Sequence, residues 1–267
     1  MVDDLDIGIV RTRSWPTAVL IVVAALLVCL PVPGAGAPFV VAAVLALVTV
    51  SAFSLWSPPV IRTALFMDAV FLVFTLGTRL GWPPAVTTVL VCVVPTVILP
   101  VCGRAPSLSP AAPWLRAGRL TRDIPWLAAV TIGGGGVALT LWALAVKPSP
   151  SPYLRQLQEL PVWVAALGVV GFAMVNSVWE EALFRGVLLT ELRTVVGTRP
   201  AVVIQALVFG FAHMNGFPSG WTGMIMSAAW GLMLGVLRVR SRGILVPYVV
   251  HVCADATIGI LAVTVLL

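Results

Sequence analysis

Charge is scarce in this sequence, and so are the side chains that most often carry chemistry. Only 10% of the 267 residues are Asp, Glu, Lys or Arg, while 60% are hydrophobic; an ordinary soluble domain carries about 25% charged residues. That shortage excludes a water-soluble fold, since no fold of this length could hide so much apolar surface. Cysteine is confined to Cys29, Cys92, Cys102 and Cys253, scattered through or beside apolar runs. They lack metal-ligand spacing and read as small buried hydrophobes. No internal repeat is visible, so an inverted-repeat transporter gains no direct support.

What the chain has in abundance is long apolar runs. They fall near residues 15–32, 38–56, 60–78, 84–102, 125–146, 160–190, 200–214, 221–237 and 244–267, and a spanning helix needs roughly 20 mostly apolar residues. The expectation is an all-α, polytopic helical membrane protein with about eight to nine transmembrane segments. The run at 160–190 is long for one span and predicts a tilted helix or one broken near Asn176 and Ser177. The last run contains Pro247 and Gly259, which predict a kink or a split. The first is read as a membrane helix and not as a removed signal, because no cleavage motif closes it convincingly. Trp15, Trp56, Trp82, Trp126 and Trp221 stand near segment ends, as interface anchors do. Gly133 to Gly136 form a run of four glycines in an apolar segment, which predicts close helix packing.

The stretch from Cys102 to Pro125, rich in Pro, Ser and Arg, divides the chain. Residues 1–124 hold N-terminal transmembrane segments of unassigned role, and 125–267 hold a transmembrane core with nearly all the polar residues of interest. The net charge of +6 is topological and does not point to nucleic acid. With a cytoplasmic N-terminus, thirteen arginines fall inside: Arg11, Arg13, Arg62, Arg104, Arg116, Arg119, Arg122, Arg185, Arg193, Arg199, Arg238, Arg240 and Arg242. Only Arg79, Lys147 and Arg155 fall outside. The excess predicts a multi-pass protein of the cell membrane with its N-terminus in the cytoplasm.

An ionisable residue inside a membrane segment is costly and is by default a functional hypothesis. Both histidines of the chain, His213 and His251, lie in apolar segments, as do Glu180, Glu181 and Asp255. Residues four apart share a helix face, so Glu181 can pair with Arg185, while Glu180 is rotated by about 100° and left without that partner. A carboxylate in such a setting suits a general base. The same spacing puts His251 with Asp255 and Phe209 with His213. Three helices can therefore present a carboxylate and two imidazoles, with a fourth polar group, to one cavity, enough to activate a water or to hold a zinc ion. Asp68, in the third segment, reads as a packing residue, a partner for an arginine or part of a second site.

Glu180-Glu181-x-x-x-Arg185, then Phe209-x-x-x-His213, then His251-x-x-x-Asp255 resembles the three ordered motifs of the CAAX-protease and bacteriocin-processing family of intramembrane endopeptidases. The resemblance covers about residues 160–267, including Gly231-Leu232-Met233-Leu234-Gly235 and Gly243-Ile244-Leu245-Val246-Pro247. It implies an endopeptidase that cleaves a peptide or another membrane protein near the bilayer surface. By that resemblance Glu180 and His213 would activate water, His251 and Asp255 would stabilise the oxyanion or complete the site, and Glu181, Arg185 and Phe209 would support it. Many relatives have Asn where Asp255 stands, and an ionised Asp cannot donate to an oxyanion; it would be protonated, orient His251 or bind metal. A metal, Zn2+ or another divalent ion held by Glu180, His213 and His251, is one option and none is the other. The partners expected are a peptide or membrane-protein substrate and the lipid bilayer, without nucleic acid. The Ala, Val, Gly and Arg bias resembles high-GC bacterial coding and favours a bacterial peptide over a prenylated CAAX substrate. A proton-coupled transporter and a catalytically silent immunity or scaffold protein are the alternatives.

Overall fold

A computed structural model describes residues 14–29, 37–148 and 160–264. Arg11, Arg13 and Arg155 of the topological count lie outside the described residues. Among the described residues ten α-helices follow one another: α1 Trp15–Cys29, α2 Ala37–Ser54, α3 Pro58–Leu80, α4 Pro84–Cys102, α5 Asp123–Val146, α6 Val162–Glu180, α7 Leu189–Val196, α8 Thr198–Ala212, α9 Gly220–Ser241 and α10 Leu245–Thr264. There is no strand among the described residues. The helix ends sit where chain chemistry demands them. Pro58 opens α3 at a position whose N–H has no helical partner to lose, and Gly81 closes it in the left-handed region at φ 65°, its N–H donating to Gly77 O. Pro84 and Pro161 likewise mark the starts of α4 and α6.

Among the described residues seven helical runs are long and apolar enough to cross a membrane, so the protein is a multi-pass helical membrane protein. The expected count was eight to nine. The difference comes from α1 and α8, each of 15 residues, or about 22 Å at 1.5 Å per residue, short of a hydrocarbon core of about 30 Å. The long run did not break at Asn176 and Ser177; α6 passes through both and the irregularity starts at Glu181, where eight residues, Glu181–Leu188, wind as a π-helix before α7. The final segment is a single helix, with Pro247 in its first turn, where a missing N–H costs nothing.

The chain forms two compact units, Met1–Leu115 with Ala182–Gly235, and Arg116–Glu181 with Val236–Leu267. In the first, α3 packs on α4, α2 and α1, and α7 on α8, α1 and α3. The first four helices thus share a core with part of the motif-bearing sequence. Arg62 holds α3 to α7: its Nε and Nη2 donate to the two carboxylate oxygens of Glu191 at 2.8 and 2.6 Å, and its Nη1 to Leu108 O at 3.3 Å. Gly231 and Gly235 allow close approach here. A Cβ on Gly231 would lie 3.1 Å from the Phe209 ring, and one on Gly235 2.7 Å from Gln205 Nε2. Asp68 accepts from Thr49 Oγ1 at 2.8 Å, a bond between α2 and α3.

In the second unit α10 packs against α6 and α5. A Cβ on Gly259 would collide with the Val169 side chain, so the bare backbone of α10 at this point takes the Val169 side chain of α6. Three of the four glycines in α5 do not serve the packing expected of the run: a Cβ on Gly133, Gly134 or Gly136 would meet nothing within 4 Å. Three arginines placed in loops by the topological count, Arg62, Arg185 and Arg238, are buried in helical structure.

Candidate active site

The site residues of the second unit come from two facing helices. Asn176 and Glu180 are one turn apart on α6, with Glu181 next in the chain, and His251 and Asp255 are one turn apart on α10. His251 is 2% exposed, Asp255 4%, Glu180 7% and Glu181 1%. The His251 ring stands among three carboxylates. Its Nδ1 is 2.7 Å from Glu181 Oε1, and its Nε2 is 3.5 Å from Glu180 Oε2 and 3.8 Å from Asp255 Oδ1. A carboxylate oxygen at hydrogen-bond distance accepts, so Nδ1 carries the proton that binds Glu181 and Nε2 is the end turned to Glu180 and Asp255.

Asn176 ties this group together. Its Nδ2 donates to Glu180 Oε1 and to Asp255 Oδ2, both at 3.1 Å, while its Oδ1 accepts from Trp179 Nε1 at 3.0 Å. One indole donor and two carboxylate acceptors leave the amide a single sensible orientation. Ser177 Oγ adds a second donor to Asp255 Oδ2, at 3.0 Å. Asp255 is therefore an acceptor for α6. Glu180, expected to lack a partner, has Asn176 on one oxygen and His251 facing the other. Asn176, Ser177 and Trp179 were not predicted as site residues. The available signal was Asn176 four residues before Glu180 in an otherwise apolar stretch.

In the first unit the remaining motif residues form a stack. Arg185 Cζ lies 4.3 Å over the centroid of the Phe209 ring, a cation–π distance, and Phe184 meets the same ring edge-on at 4.8 Å. Phe209 in turn lies 4.3 Å from the His213 ring, tilted by 44°. His213 stands just past the end of α8, in a 3-10 turn, His213–Asn215. Its Nδ1 is 2.9 Å from Phe209 O. That carbonyl can only accept, so Nδ1 donates. Arg185 is fully buried and Phe209 1% exposed.

Residues 161–257 match the family described as Type II CAAX prenyl endopeptidase Rce1-like. The CAAX-protease resemblance is borne out over that region. No curated protein and no solved structure matches the chain. At the level of the family, the CAAX-protease match supports an intramembrane endopeptidase. The matched CAAX-protease-like region contains all three motifs, from Glu180 to Asp255. Among the described residues no group of three or more His, Cys, Asp or Glu side chains is placed so as to hold a metal ion.

Proposed function

We propose that this protein hydrolyses a peptide bond in a peptide or membrane-associated protein, with Glu180 as the base that deprotonates the attacking water. One observation carries the reading: three carboxylates, Glu180, Glu181 and Asp255, surround one buried imidazole, His251. In such a set protons belong to the group and not to one member, a property suited to proton transfer and unnecessary for packing.

Asn176 occupies Glu180 Oε1, so Oε2 is the oxygen to take the proton. The water oxygen then bonds to the scissile carbonyl carbon, an oxyanion forms, and the proton returns from Glu180 to the departing nitrogen as the C–N bond breaks. His251, held at Nδ1 by Glu181, presents Nε2 to the developing negative charge when protonated. Asp255 accepts from Asn176 and Ser177, which supports a role in orienting His251. His213, assigned to help Glu180 by the family resemblance, is oriented by the bond from its Nδ1 to Phe209 O.

We assign the catalytic role to residues 125–267 and give the cell membrane orientation as N-terminus cytoplasmic, with the site open to the same side. The excess of exposed arginines in loops that include Arg116 and Arg242 supports this. Purified protein in nanodiscs should cleave quenched-fluorescent peptides, and Glu180→Gln or His213→Ala should reduce turnover about 10²–10⁴-fold with an unchanged melting temperature. Normal turnover in a folded variant would remove that residue from the mechanism, and proton-coupled flux without cleavage would favour a transporter. Cysteines placed beside Glu180 and His251, with the native four replaced, should react with an impermeant thiol reagent from the cytoplasmic side.

A further inference from the structure

Where α9 ends and α10 begins, the connection lies against the loop that precedes α5. The Arg119 N–H donates to Ser241 O at 2.7 Å and the Ile244 N–H to Arg116 O at 2.9 Å, while Arg116 Nε donates to the Arg242 carbonyl. Two glycines make the contact possible: a Cβ on Gly118 would lie 2.5 Å from Ser241 O, and one on Gly243 2.3 Å from Ala117 O. The two loops thus form one built ledge. Arg116, Arg119, Arg122, Arg240 and Arg242 are all exposed on it. Asp123 is the one carboxylate, bonded to Thr121 and paired with Arg240 at 3.2 Å. Among these arginines stand Leu120 and Trp126, 75% and 74% exposed. Three of the membrane-length helices, α5, α9 and α10, end here, which puts the ledge at the boundary between membrane and water.

We propose that this ledge binds the phosphate headgroups of anionic phospholipids. Guanidinium forks match phosphate oxygens two bonds at a time, and the charge of the surface is almost wholly of one sign. The exposed Trp126 and Leu120 decide between a lipid and a soluble anion, since apolar anchors beside the arginines suit acyl chains and headgroup level and give nothing to free phosphate. Arg116 and Arg240 are held by the Arg242 carbonyl and by Asp123, so Arg119, Arg122 and Arg242 are the residues assigned to grip the headgroup. The inference does not rest on the peptidase reading.

The test uses the full chain in non-ionic detergent, with phosphatidylglycerol, phosphatidylcholine or inorganic phosphate as probe, and reads bound lipid by native mass spectrometry and the unfolding midpoint by thermal scan. Phosphatidylglycerol should be retained and raise the midpoint, phosphatidylcholine should do neither, and salt should weaken the effect. A basic residue near an anionic surface contributes about five-fold in affinity, so Arg119→Gln with Arg122→Gln and Arg242→Gln should cost on the order of a hundred-fold, while the three Lys substitutions keep most of it. If the triple Gln variant does not fold, Arg122→Gln alone should show the roughly five-fold loss. Equal binding of the two lipids, or undiminished phosphatidylglycerol binding in the Gln variants, would overturn the proposal. So would displacement of the lipid by inorganic phosphate or by an acidic peptide at equal concentration.

Discussion

Each compact unit buries a polar group among apolar helices, and the two groups are built on opposite plans. Arg62 and Glu191 form a bidentate pair, one cation to one anion, with each carboxylate oxygen given its own donor. His251 sits among three carboxylates at 2.7, 3.5 and 3.8 Å. The first arrangement completes its hydrogen bonds in one fixed geometry and joins α3 to α7. The second sets one ring nitrogen against Glu181 at 2.7 Å and turns the other toward two further carboxylates at 3.5 and 3.8 Å. Burial is the same in both; the ratio of donors to acceptors and the lengths of their contacts differ.

Substitutions should separate the two plans. His251→Ala, which removes the ring that the carboxylates share, should lower peptide cleavage about 10²–10⁴-fold and destabilise the protein by roughly 3–5 kcal/mol, read by turnover and by thermal unfolding in detergent. Arg62→Met should cost a similar 3–5 kcal/mol while turnover per folded molecule stays at the wild-type level. Adding Glu191→Leu should recover most of that stability, because two apolar groups can replace a buried pair; a double variant as unstable as the single would mean that the pair is not an isolated clamp. Asn176→Ala should cost about 1–3 kcal/mol and lower turnover more than Ser177→Ala does, since Asn176 bridges Glu180 and Asp255 and Ser177 reaches only Asp255. The smallest effect belongs to Phe209→Leu. Loss of the aromatic face beneath Arg185 should cost about 1–2 kcal/mol, and an unchanged melting temperature would show that the stack carries no net stabilisation.

Most helices could be read from the sequence because Pro58, Gly81, Pro84 and Pro161 punctuate apolar runs of nearly membrane length, a signal that is local and strong. The motif residues stood out for an equally local reason, being ionisable groups in segments where ionisation is expensive. Tertiary pairing was not visible in that way. Arg62 was counted only among the inside cations and Glu191 attracted no notice, because they are 129 residues apart and no periodicity connects them. Asn176 read as a helix break, since an amide in an apolar run has two explanations until its acceptors on α10 are known. The π-helical winding of Glu181–Leu188, whose hydrogen-bond ladder joins residues five apart, was not visible either, since no local sequence signal distinguishes it from an α-helix. Gly133, Gly134 and Gly136 showed the limit of composition: small residues permit close approach without requiring it, and here no side chain takes the opening.

The Arg62–Glu191 clamp also sets a schedule for the protein's own synthesis. At roughly 5–20 residues per second, the 129 residues that separate the partners take about 6–26 s to emerge. Throughout that interval α3 is already made while its counter-charge does not yet exist. Arg62 lies in the first turn and a half of α3, where a long side chain can reach lipid headgroups while it waits.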